Sequence, residues 1–328
     1  MHILVIGGAG YIGSHVVKAL LGNKMKVTVF DNMSTGQEIN LFSKAGFIKG
    51  DILNYAEILE AMKQDIDAVI LLAGKKAVGE SMENPEKYAL NNISGTINVL
   101  NAMSECNIKK LVFSSSAAVY GAPEYLPMDE KHPLNPMSFY GFTKYDMEQY
   151  FKWYDQLKGL HFVSLRYFNA VGYDEQGEIR GLEANPQNLL PIIMETLTGA
   201  RDKLKIFGND YNTPDGTCVR DYIHVTDLAK AHAAALIYLQ NNGESQFLNL
   251  GTSKGISVLE MVQTTEKMLG RKINYEFAPR RPGDPAMITA TAQKAKEILG
   301  WKAEHSDLEN IINSTWQIYA SQLTQAKN

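Results

Sequence analysis

A set of three glycines directly follows the first apolar run of the chain. Residues 3–6 lead into Gly7, Gly10 and Gly13, and an amphipathic stretch over 12–21 begins within the glycine set. A buried strand that turns tightly into a closely packed helix needs glycine, because side chains obstruct both the turn and the packing. The chain is therefore restricted to folds that open with a strand–turn–helix unit.

The first half of the chain alternates between apolar runs and amphipathic stretches. Strands are predicted at residues 3–6, 26–30, 47–49, 68–72, 110–114 and 162–168, and helices at 12–21, 86–106 and 140–157. Continuous apolar strands separated by helices are typical of a parallel sheet that is covered on both faces. We therefore predict an α/β fold with a doubly wound parallel sheet of the Rossmann type.

The pattern changes past residue 172. Glycine, asparagine and proline become frequent at 172–191 and 208–216, and regular strands become fewer. We predict a first domain over 1–172 and a smaller C-terminal α/β domain over 173–328, which packs over the carboxyl ends of the sheet and binds the substrate. No linker-like stretch separates the two parts, so we expect them to interleave.

The composition disfavours several functional classes. The 328 residues are 45% hydrophobic and 21% charged, as in globular proteins, and a net charge of -4 disfavours a general nucleic-acid binder. With only Cys106 and Cys218, the chain has no disulfide framework, and its histidine spacing predicts no metal site. The N-terminal segment is typical of a strand rather than a signal peptide, and no apolar stretch is long enough to span a bilayer. We expect a cytoplasmic enzyme.

The glycine set and the ends of the next two strands predict a dinucleotide site. The bare turn lets the backbone approach a pyrophosphate, and the helix N-terminus offers it free amides. Asp31 ends the second strand 18 residues after Gly13. A carboxylate there binds an adenosine ribose and repels a 2′-phosphate, which favours NAD over NADP. Asp51, which follows Gly50 at the end of the third strand, lies either near the adenine or in an ordinary turn.

Tyr140 and Lys144 form a candidate acid–base pair. Their spacing places both side chains on one face of the predicted helix. A tyrosine takes a proton from a substrate hydroxyl only if its pKa, ordinarily about 10, is lowered, and a nearby ammonium lowers it. The spacing alone is weak evidence, because Tyr154 and Lys158 share it. The first pair is favoured because serines at 114–116 end the preceding strand, where a serine can relay the proton.

Several motifs together resemble the extended short-chain dehydrogenase/reductase superfamily. They are GGAGYIGSH at 7–15, SSSAAVYG at 114–121, YGFTK at 140–144 and RYFNAVG at 166–172. Two more motifs, AGKKAVGES at 73–81 and GTCVRDYIHV at 216–225, narrow the resemblance to the UDP-glucose 4-epimerases. The resemblance extends to about Trp301. It implies transient oxidation of a UDP-hexose at sugar C4 by tightly held NAD, through a 4-keto intermediate, in a homodimer.

The resemblance also implies roles for individual residues. The catalytic positions correspond to Ser116, Tyr140 and Lys144. The NAD-contacting positions correspond to Gly7, Gly10, Tyr11, Ile12, Gly13, Asp31, Asn32, Ser34, Asp51, Ile52, Lys76, Asn91, Tyr140, Lys144 and Phe168. The UDP-hexose positions correspond to Lys76, Ser116, Tyr140, Asn169, Asn188, Leu189, Phe207, Arg220, Arg281, Asp284 and Ile288. The two arginines suit this role, because a guanidinium can bind phosphate oxygens through paired hydrogen bonds.

Two other functions compete with this interpretation. A nucleotide-sugar 4,6-dehydratase or decarboxylase would begin with the same oxidation, but dehydratases of the superfamily carry Thr-Asp-Glu where this chain has Ser-Ala-Ala at 116–118. A non-catalytic NAD-binding regulator on the same fold tends to lose the catalytic serine, tyrosine or lysine, and all three are present. Ile288 occupies a position whose bulk limits N-acetylated sugars in the family. Its intermediate size is compatible with either substrate range.

Overall fold

The computed structural model describes residues 1–184, 186–281 and 283–325. The strands are β1 His2–Ile6, β2 Lys26–Asp31, β3 Gly46–Lys49, β4 Ala68–Leu71, β5 Lys110–Ser114, β6 His161–Tyr167, β7 Asn169–Val171, β8 Leu204–Phe207, β9 Val219–His224, β10 Gln246–Leu250, β11 Gly255–Ser257, β12 Tyr275–Ala278 and β13 Met287–Ile288. The α-helices are α1 Tyr11–Gly22, α2 Tyr55–Met62, α3 Val78–Glu83, α4 Pro85–Tyr88, α5 Gly95–Glu105, α6 Phe139–Lys158, α7 Leu189–Thr198, α8 Val225–Gln240, α9 Val258–Leu269, α10 Gln293–Leu299 and α11 Leu308–Gln325.

A seven-stranded parallel sheet forms the larger layer. Its strand order is β10-β6-β5-β4-β1-β2-β3. All residues of β1 and β4 are buried, because helices cover both faces of the sheet. One buried apolar cluster packs α1 and α8 against one face, and a second packs α2, α5 and α6 against the other. The predicted doubly wound α/β fold is confirmed.

The predicted elements of the first half lie close to the observed ones, with one exception. The bounds of every predicted strand differ by at most one residue from those of the corresponding strand among β1 to β6. The helices predicted at 12–21 and 140–157 are α1 and α6. The helix predicted at 86–106 is not one α-helix, because a π-helical segment at Ala89–Ser94 separates α4 from α5. Single π-turns within helices often occur at functional sites.

The second layer contains two small sheets. In one, β9 pairs with β11, β13 and β7, and in the other β8 pairs with β12. A third apolar cluster packs α7, α9 and α11 against them. The two parts of the chain interleave, because α8 and β10 come after residue 172 and yet belong to the larger layer. The buried leucines of β10 fill the core beside β6, so the chain returns to the first sheet to complete it.

Candidate active site

The turn between β1 and α1 forms one wall of the site. Gly7 has a φ of +85°, a conformation that favours glycine. A Cβ on Gly13 would lie 2.1 Å from the Gly7 carbonyl oxygen, so strand and helix are too close for a side chain. A Cβ on Gly10 would meet the chain at an ordinary 3.5 Å. Gly10 thus leaves the outer side of the turn open, and no side chain caps the first turn of α1, whose amides can bind an anion.

Polar side chains at the ends of β2 and β3 hold the neighbouring loops. Asp31 is buried and accepts hydrogen bonds from the amides of Ala9, at 3.0 Å, and Met33, at 2.8 Å. The Asn32 side chain donates to Asp51 at 2.9 Å. A carboxylate has about four lone-pair sites, so Asp31 keeps acceptor capacity for a ribose hydroxyl. The two loops are therefore fixed while the acceptor remains available.

The serine, tyrosine and lysine predicted to be catalytic meet at the carboxyl end of β5. Ser138 caps α6 with its side chain and places Tyr140 in the first turn. The Ser116 hydroxyl accepts a hydrogen bond from the Ala118 amide at 3.2 Å and lies close enough to the Tyr140 phenol to lower the pKa of that phenol. Lys144 Nζ donates to the Ser114 carbonyl oxygen at 2.8 Å and lies 6.0 Å from the centroid of the Tyr140 ring. The arrangement can deliver or accept one proton at the phenol oxygen.

Burial governs the protonation of this cluster. Desolvation raises the pKa of Tyr140, and the hydrogen bond from Ser116 opposes that shift. Desolvation also lowers the pKa of Lys144 to about 8, and the charge of Glu148 opposes it. The structure thus differs from the expectation that Lys144 lowers the pKa of Tyr140. Desolvation is the larger effect on the phenol, and the ammonium points at the Ser114 carbonyl.

The second Tyr–Lys pair of α6 has a different environment. Tyr154 donates a hydrogen bond to Asn101 at 3.0 Å, and Lys158 is exposed at the end of the helix. Both residues lie several turns from the carboxyl end of β5. The two pairs thus share the four-residue spacing but differ in their position relative to the sheet.

Five of the residues predicted to bind UDP-hexose come together at the small sheets. The Arg281 guanidinium lies 4.0 Å from the centroid of the Phe207 ring. Arg220 forms an ion pair with Asp284, and Ile288 is its partner in the β9–β13 register. The cluster therefore holds two guanidinium groups beside an aromatic face.

Three further predicted substrate residues lie at the start of β7 and at the N-terminus of α7. The Asn169 side chain donates to the Asp221 carbonyl oxygen at 3.0 Å. Asn188 is the N-cap residue of α7 without a side-chain capping bond, and Leu189 begins the helix. Asn188 also lines a small cavity with Tyr11, which places it across from the glycine turn.

The comparison with known proteins decides the family. Residues 3–251 match the family described as the NAD dependent epimerase/dehydratase family, and this range runs from β1 through β10. The chain belongs to this family. The superfamily relationship that the motifs indicated is thereby confirmed.

Relatives within the epimerase/dehydratase family are similar over nearly the whole chain. The UDP-glucose 4-epimerase of Streptococcus mutans is 45% identical and covers 98% of this chain and 97% of its own length. The solved UDP-glucose 4-epimerase of Brucella ovis in complex with NAD has a TM-score of 0.95 at 42% identity, over 97% of this chain and 98% of that one. The solved enzyme of Bifidobacterium longum, in complex with NAD+ and UDP, has a TM-score of 0.92 at 38% identity, over 98% of each chain.

The remaining predicted cofactor residues of this epimerase/dehydratase family member lie around the same cleft. The Ser34 amide donates to Asn32 at 2.9 Å, and Ile52 is buried against Gly95. Phe168 is half-buried beside the cluster that contains Tyr120. Each of these side chains belongs to a segment that follows a strand of the large sheet.

Lys76, which the resemblance assigns to both the NAD and the UDP-hexose positions, lies at the rim of the cleft. Its side chain is 61% exposed and forms an ion pair with Glu183, which precedes α7. Glu183 also lines the cavity beside Tyr11 and Asn188. Lys76 and Glu183 thus connect the two layers at the rim of the cleft.

Asn92 is a site residue that the sequence reasoning missed. Asn91 lies on the π-helical segment, as does Asn92, which is buried. The Asn92 amide accepts from the Lys75 amide at 2.8 Å, donates to the Lys75 carbonyl at 3.0 Å and donates to Thr143 at 3.1 Å. It ties the loop after β4 to α6. An asparagine doublet inside a predicted amphipathic helix was the available signal.

Neither a metal-binding cluster nor a membrane-spanning helix occurs among the residues that the structure describes. In that part of the chain, no group of three or more metal-ligating side chains lies together. No helix there combines the length and the apolar character that crossing a membrane requires. Cys106 and Cys218 are both free thiols.

Proposed function

We propose that this protein interconverts UDP-glucose and UDP-galactose by transient oxidation at sugar C4 with tightly held NAD. The meeting of Ser116, Tyr140 and Lys144 at the end of β5 carries the proposal. The parallel strands β1, β4 and β5 end at the same edge of the large sheet, so the cluster and the glycine turn face one cleft. We place the reaction in the cytoplasm, where free cysteines such as these stay reduced.

The glycine turn and the strand ends fit NAD. We assign the pyrophosphate to the turn at 7–13 and the first amides of α1, and the adenosine to Asp31, Asn32, Ser34, Asp51 and Ile52. Lys76, Asn91 and Phe168 complete the site beside Tyr140 and Lys144. When bound, NAD takes up a hydride from the sugar and returns it.

Tyr140 takes the proton from the sugar 4-hydroxyl and later returns it. Because burial raises the pKa of this phenol, the proton leaves only when positive charge nearby offsets the desolvation. Lys144, whose Nζ lies 6.0 Å from the centroid of the Tyr140 ring, can contribute part of that charge, and Ser116 lowers the pKa of the phenol. The resulting 4-keto sugar then presents its opposite face.

The nucleotide part of the substrate stays bound while the 4-keto sugar rotates. Arg220 and Arg281 can each bind phosphate oxygens through two parallel N–H donors. The face of the Phe207 ring packs against the Arg281 guanidinium. Asp284 holds Arg220, while Asn169, Asn188, Leu189, Lys76 and Ile288 line the remaining substrate site. Binding energy remote from C4 lets the hexose rotate without leaving.

We propose a functional division between the two layers. The NAD site belongs to residues 1–172, supplemented by α8 and β10, and the nucleotide-sugar site belongs to the rest of 173–328. The glycine turn and the strand ends of β2 and β3 support the first assignment. The Arg220 and Arg281 cluster supports the second.

The first test is turnover without added cofactor. Purified protein incubated with UDP-galactose and no NAD is expected to produce UDP-glucose, measured by proton NMR, because the reaction returns the cofactor to its starting state. A 4-keto-6-deoxy sugar would identify a dehydratase instead, and an unchanged substrate would favour a regulator. UDP-N-acetylgalactosamine in a parallel sample determines whether Ile288 leaves room for an N-acetyl group.

Substitution of two neighbouring arginines, Arg281 and Arg280, tests the proposed UDP site. Arg281→Met is expected to raise the Kd for UDP about 10- to 100-fold, because charge-assisted hydrogen bonds contribute about 1.5–3 kcal/mol. Arg280→Met is the matched control, since Arg280 stacks 4.1 Å from the Tyr211 ring and pairs with Asp210 instead. Calorimetric titration with UDP measures both. Equal losses for the two variants would remove the assignment of Arg281.

We also propose a homodimer that forms through α6. Exposed apolar side chains follow one stripe of this helix at Phe142, Tyr150, Trp153 and Leu157, and Leu90 on the adjacent π segment is 56% exposed. An apolar surface of this kind marks an interface when it is contiguous. The dyad-related α6 of a second copy would cover the stripe.

Charge placed in the stripe should separate the dimer. Trp153→Glu is expected to halve the solution mass, measured by light scattering after size exclusion, because an unpaired carboxylate would be buried at the interface. Ile237→Glu is the control, since Ile237 is an exposed apolar residue on α8. A monomeric parent protein, or a dimeric Trp153→Glu variant, would contradict the proposed interface.

A further inference from the structure

Two successive turns of α6 are hydrogen-bonded to the serines at 114–116. Lys144 Nζ donates to the Ser114 carbonyl oxygen at 2.8 Å, and Glu148 accepts a hydrogen bond from the Ser115 hydroxyl at 2.7 Å. One turn earlier, Tyr140 lies close enough to Ser116 for the serine to lower the pKa of the phenol. Residues spaced by four share one helix face, so the three contacts form a ladder along α6.

Glu148 is the buried end of this ladder. It is fully buried and accepts, besides the bond from Ser115, a bond from Ser164 Oγ at 2.8 Å and bonds from Arg166 Nε and Nη2 at 2.9 and 2.6 Å. A buried ion pair is tolerated when hydrogen bonds satisfy its polar atoms, as here. Neither Ser115 nor Arg166 has a role in the proposed reaction, although both belong to motifs that the sequence singled out.

Arg166 extends the anchor to the sheet edge. Its Nη1 donates to the Tyr120 hydroxyl at 3.0 Å, and that hydroxyl donates to Asn249 Oδ1 on β10 at 2.6 Å. Tyr120 lies just after the serine run. The network therefore holds the segment beyond β5 at two residues, Ser115 and Tyr120. A carboxylate held in this way has little freedom to move relative to the sheet.

We propose that Glu148 is a positioning residue, which uses Ser115 to fix the strand end that presents Ser116 and the Ser114 carbonyl to the catalytic side chains. Its charge also balances the ammonium of Lys144. The inference rests on the proposed function, because positioning is measured here through turnover. It assigns to Glu148 no contact with substrate.

The surroundings of Lys144 give the inference a pH signature. The Lys144 ammonium faces Tyr140 and Glu148 on its own helix, and the Ser114 carbonyl and the Phe113 ring on β5, where the ring centroid lies 4.6 Å away. On β6, the Tyr167 hydroxyl is bonded to the Ser114 hydroxyl and Arg166 is bonded to Glu148. On the π segment, Asn92 lies with Lys144 Nζ beside Gly74. The charge of Glu148 raises the pKa of Lys144 against desolvation. Without that charge, the ammonium would lose its proton at lower pH.

The decisive comparison uses two serines that donate to the same oxygen of Glu148. Ser115→Ala and Ser164→Ala each remove one buried hydroxyl bonded to Glu148 Oε1. We expect similar falls in thermal midpoint, but about a fivefold loss of kcat with unchanged KM for UDP-galactose only in Ser115→Ala. Amide hydrogen exchange over 113–118 should likewise accelerate only in Ser115→Ala. Equal kcat and exchange changes in the two variants would overturn the inference.

Glu148→Gln supplies the second measurement. It keeps the shape and can keep the serine bonds at its amide oxygen, but it loses the bond from Arg166 Nη2 and removes the charge, so the alkaline limb of the kcat–pH profile should move to lower pH than in the parent enzyme. An unmoved limb in a folded, NAD-loaded variant would overturn the role of the charge. Parent turnover tests the proposed function separately, since an inactive parent protein rejects that function while hydrogen exchange still tests the ladder.

Discussion

Tyr140→Phe is expected to lose nearly all epimerisation while the protein keeps its bound NAD. The change removes one hydroxyl and leaves the ring, so packing at the start of α6 is preserved. Loss of a general acid–base group costs about 10²- to 10⁴-fold in rate. Turnover of UDP-galactose and the absorbance of released cofactor measure the two quantities on one sample.

The matched control is Tyr154→Phe, which removes the same atom from the other Tyr–Lys pair of α6. Tyr154 donates to Asn101 and lies several turns of α6 away from Tyr140, so this variant should turn over at nearly the parent rate. Near-normal turnover of Tyr140→Phe would remove Tyr140 from the reaction. Loss of NAD from that variant would instead indicate a structural role for the hydroxyl.

Gly13→Ala is expected to abolish NAD binding and to destabilise the fold. The added methyl would lie 2.1 Å from the Gly7 carbonyl oxygen, and 2.8 Å from the Gly8 Cα, where only backbone atoms can yield. Overpacking of a closely packed core costs about 1–3 kcal/mol and sometimes more. The shift must also displace the turn that we assign to the pyrophosphate. Cofactor content per chain and thermal unfolding measure the two effects.

Gly22→Ala on the same helix provides the control. A Cβ at Gly22 would have no atom within 4 Å, so no clash arises, and alanine is the better helix former. This variant should retain NAD and unfold at or slightly above the parent temperature. A Gly13→Ala protein with full NAD content would show that the close approach in the turn can relax.

Local patterns were sufficient for the first layer of the fold. The strands of the large sheet are continuous apolar runs, and the bounds of α1 and α6 follow from their amphipathic periodicity. The return of the chain through α8 and β10 could not be predicted in this way, because strand order depends on contacts between residues distant in sequence. The π segment was missed for a similar reason, since Asn92 is held by Lys75 and Thr143 and not by its own helix.

The candidate site, too, could be predicted only where local patterns determine it. The glycine turn and Tyr140 could be recognised from residue type and spacing alone. The protonation of Tyr140 does not, because desolvation depends on everything packed around the phenol, and here it raises the pKa of Tyr140 against the influence of Ser116. Glu148 was equally hidden, since a glutamate in an amphipathic helix usually faces solvent.

The passage of the chain back and forth between the two layers limits how the cleft can open. It leaves the large sheet after β6, returns for α8 and β10, departs again into β11 and α9, and comes back once more with α10, which packs on α8. Hinge motion requires a few connecting residues that absorb the rotation, and several crossings would have to rotate together. We therefore expect a nearly rigid cleft. The keto sugar would rotate about its link to the bound diphosphate while the two layers keep their positions.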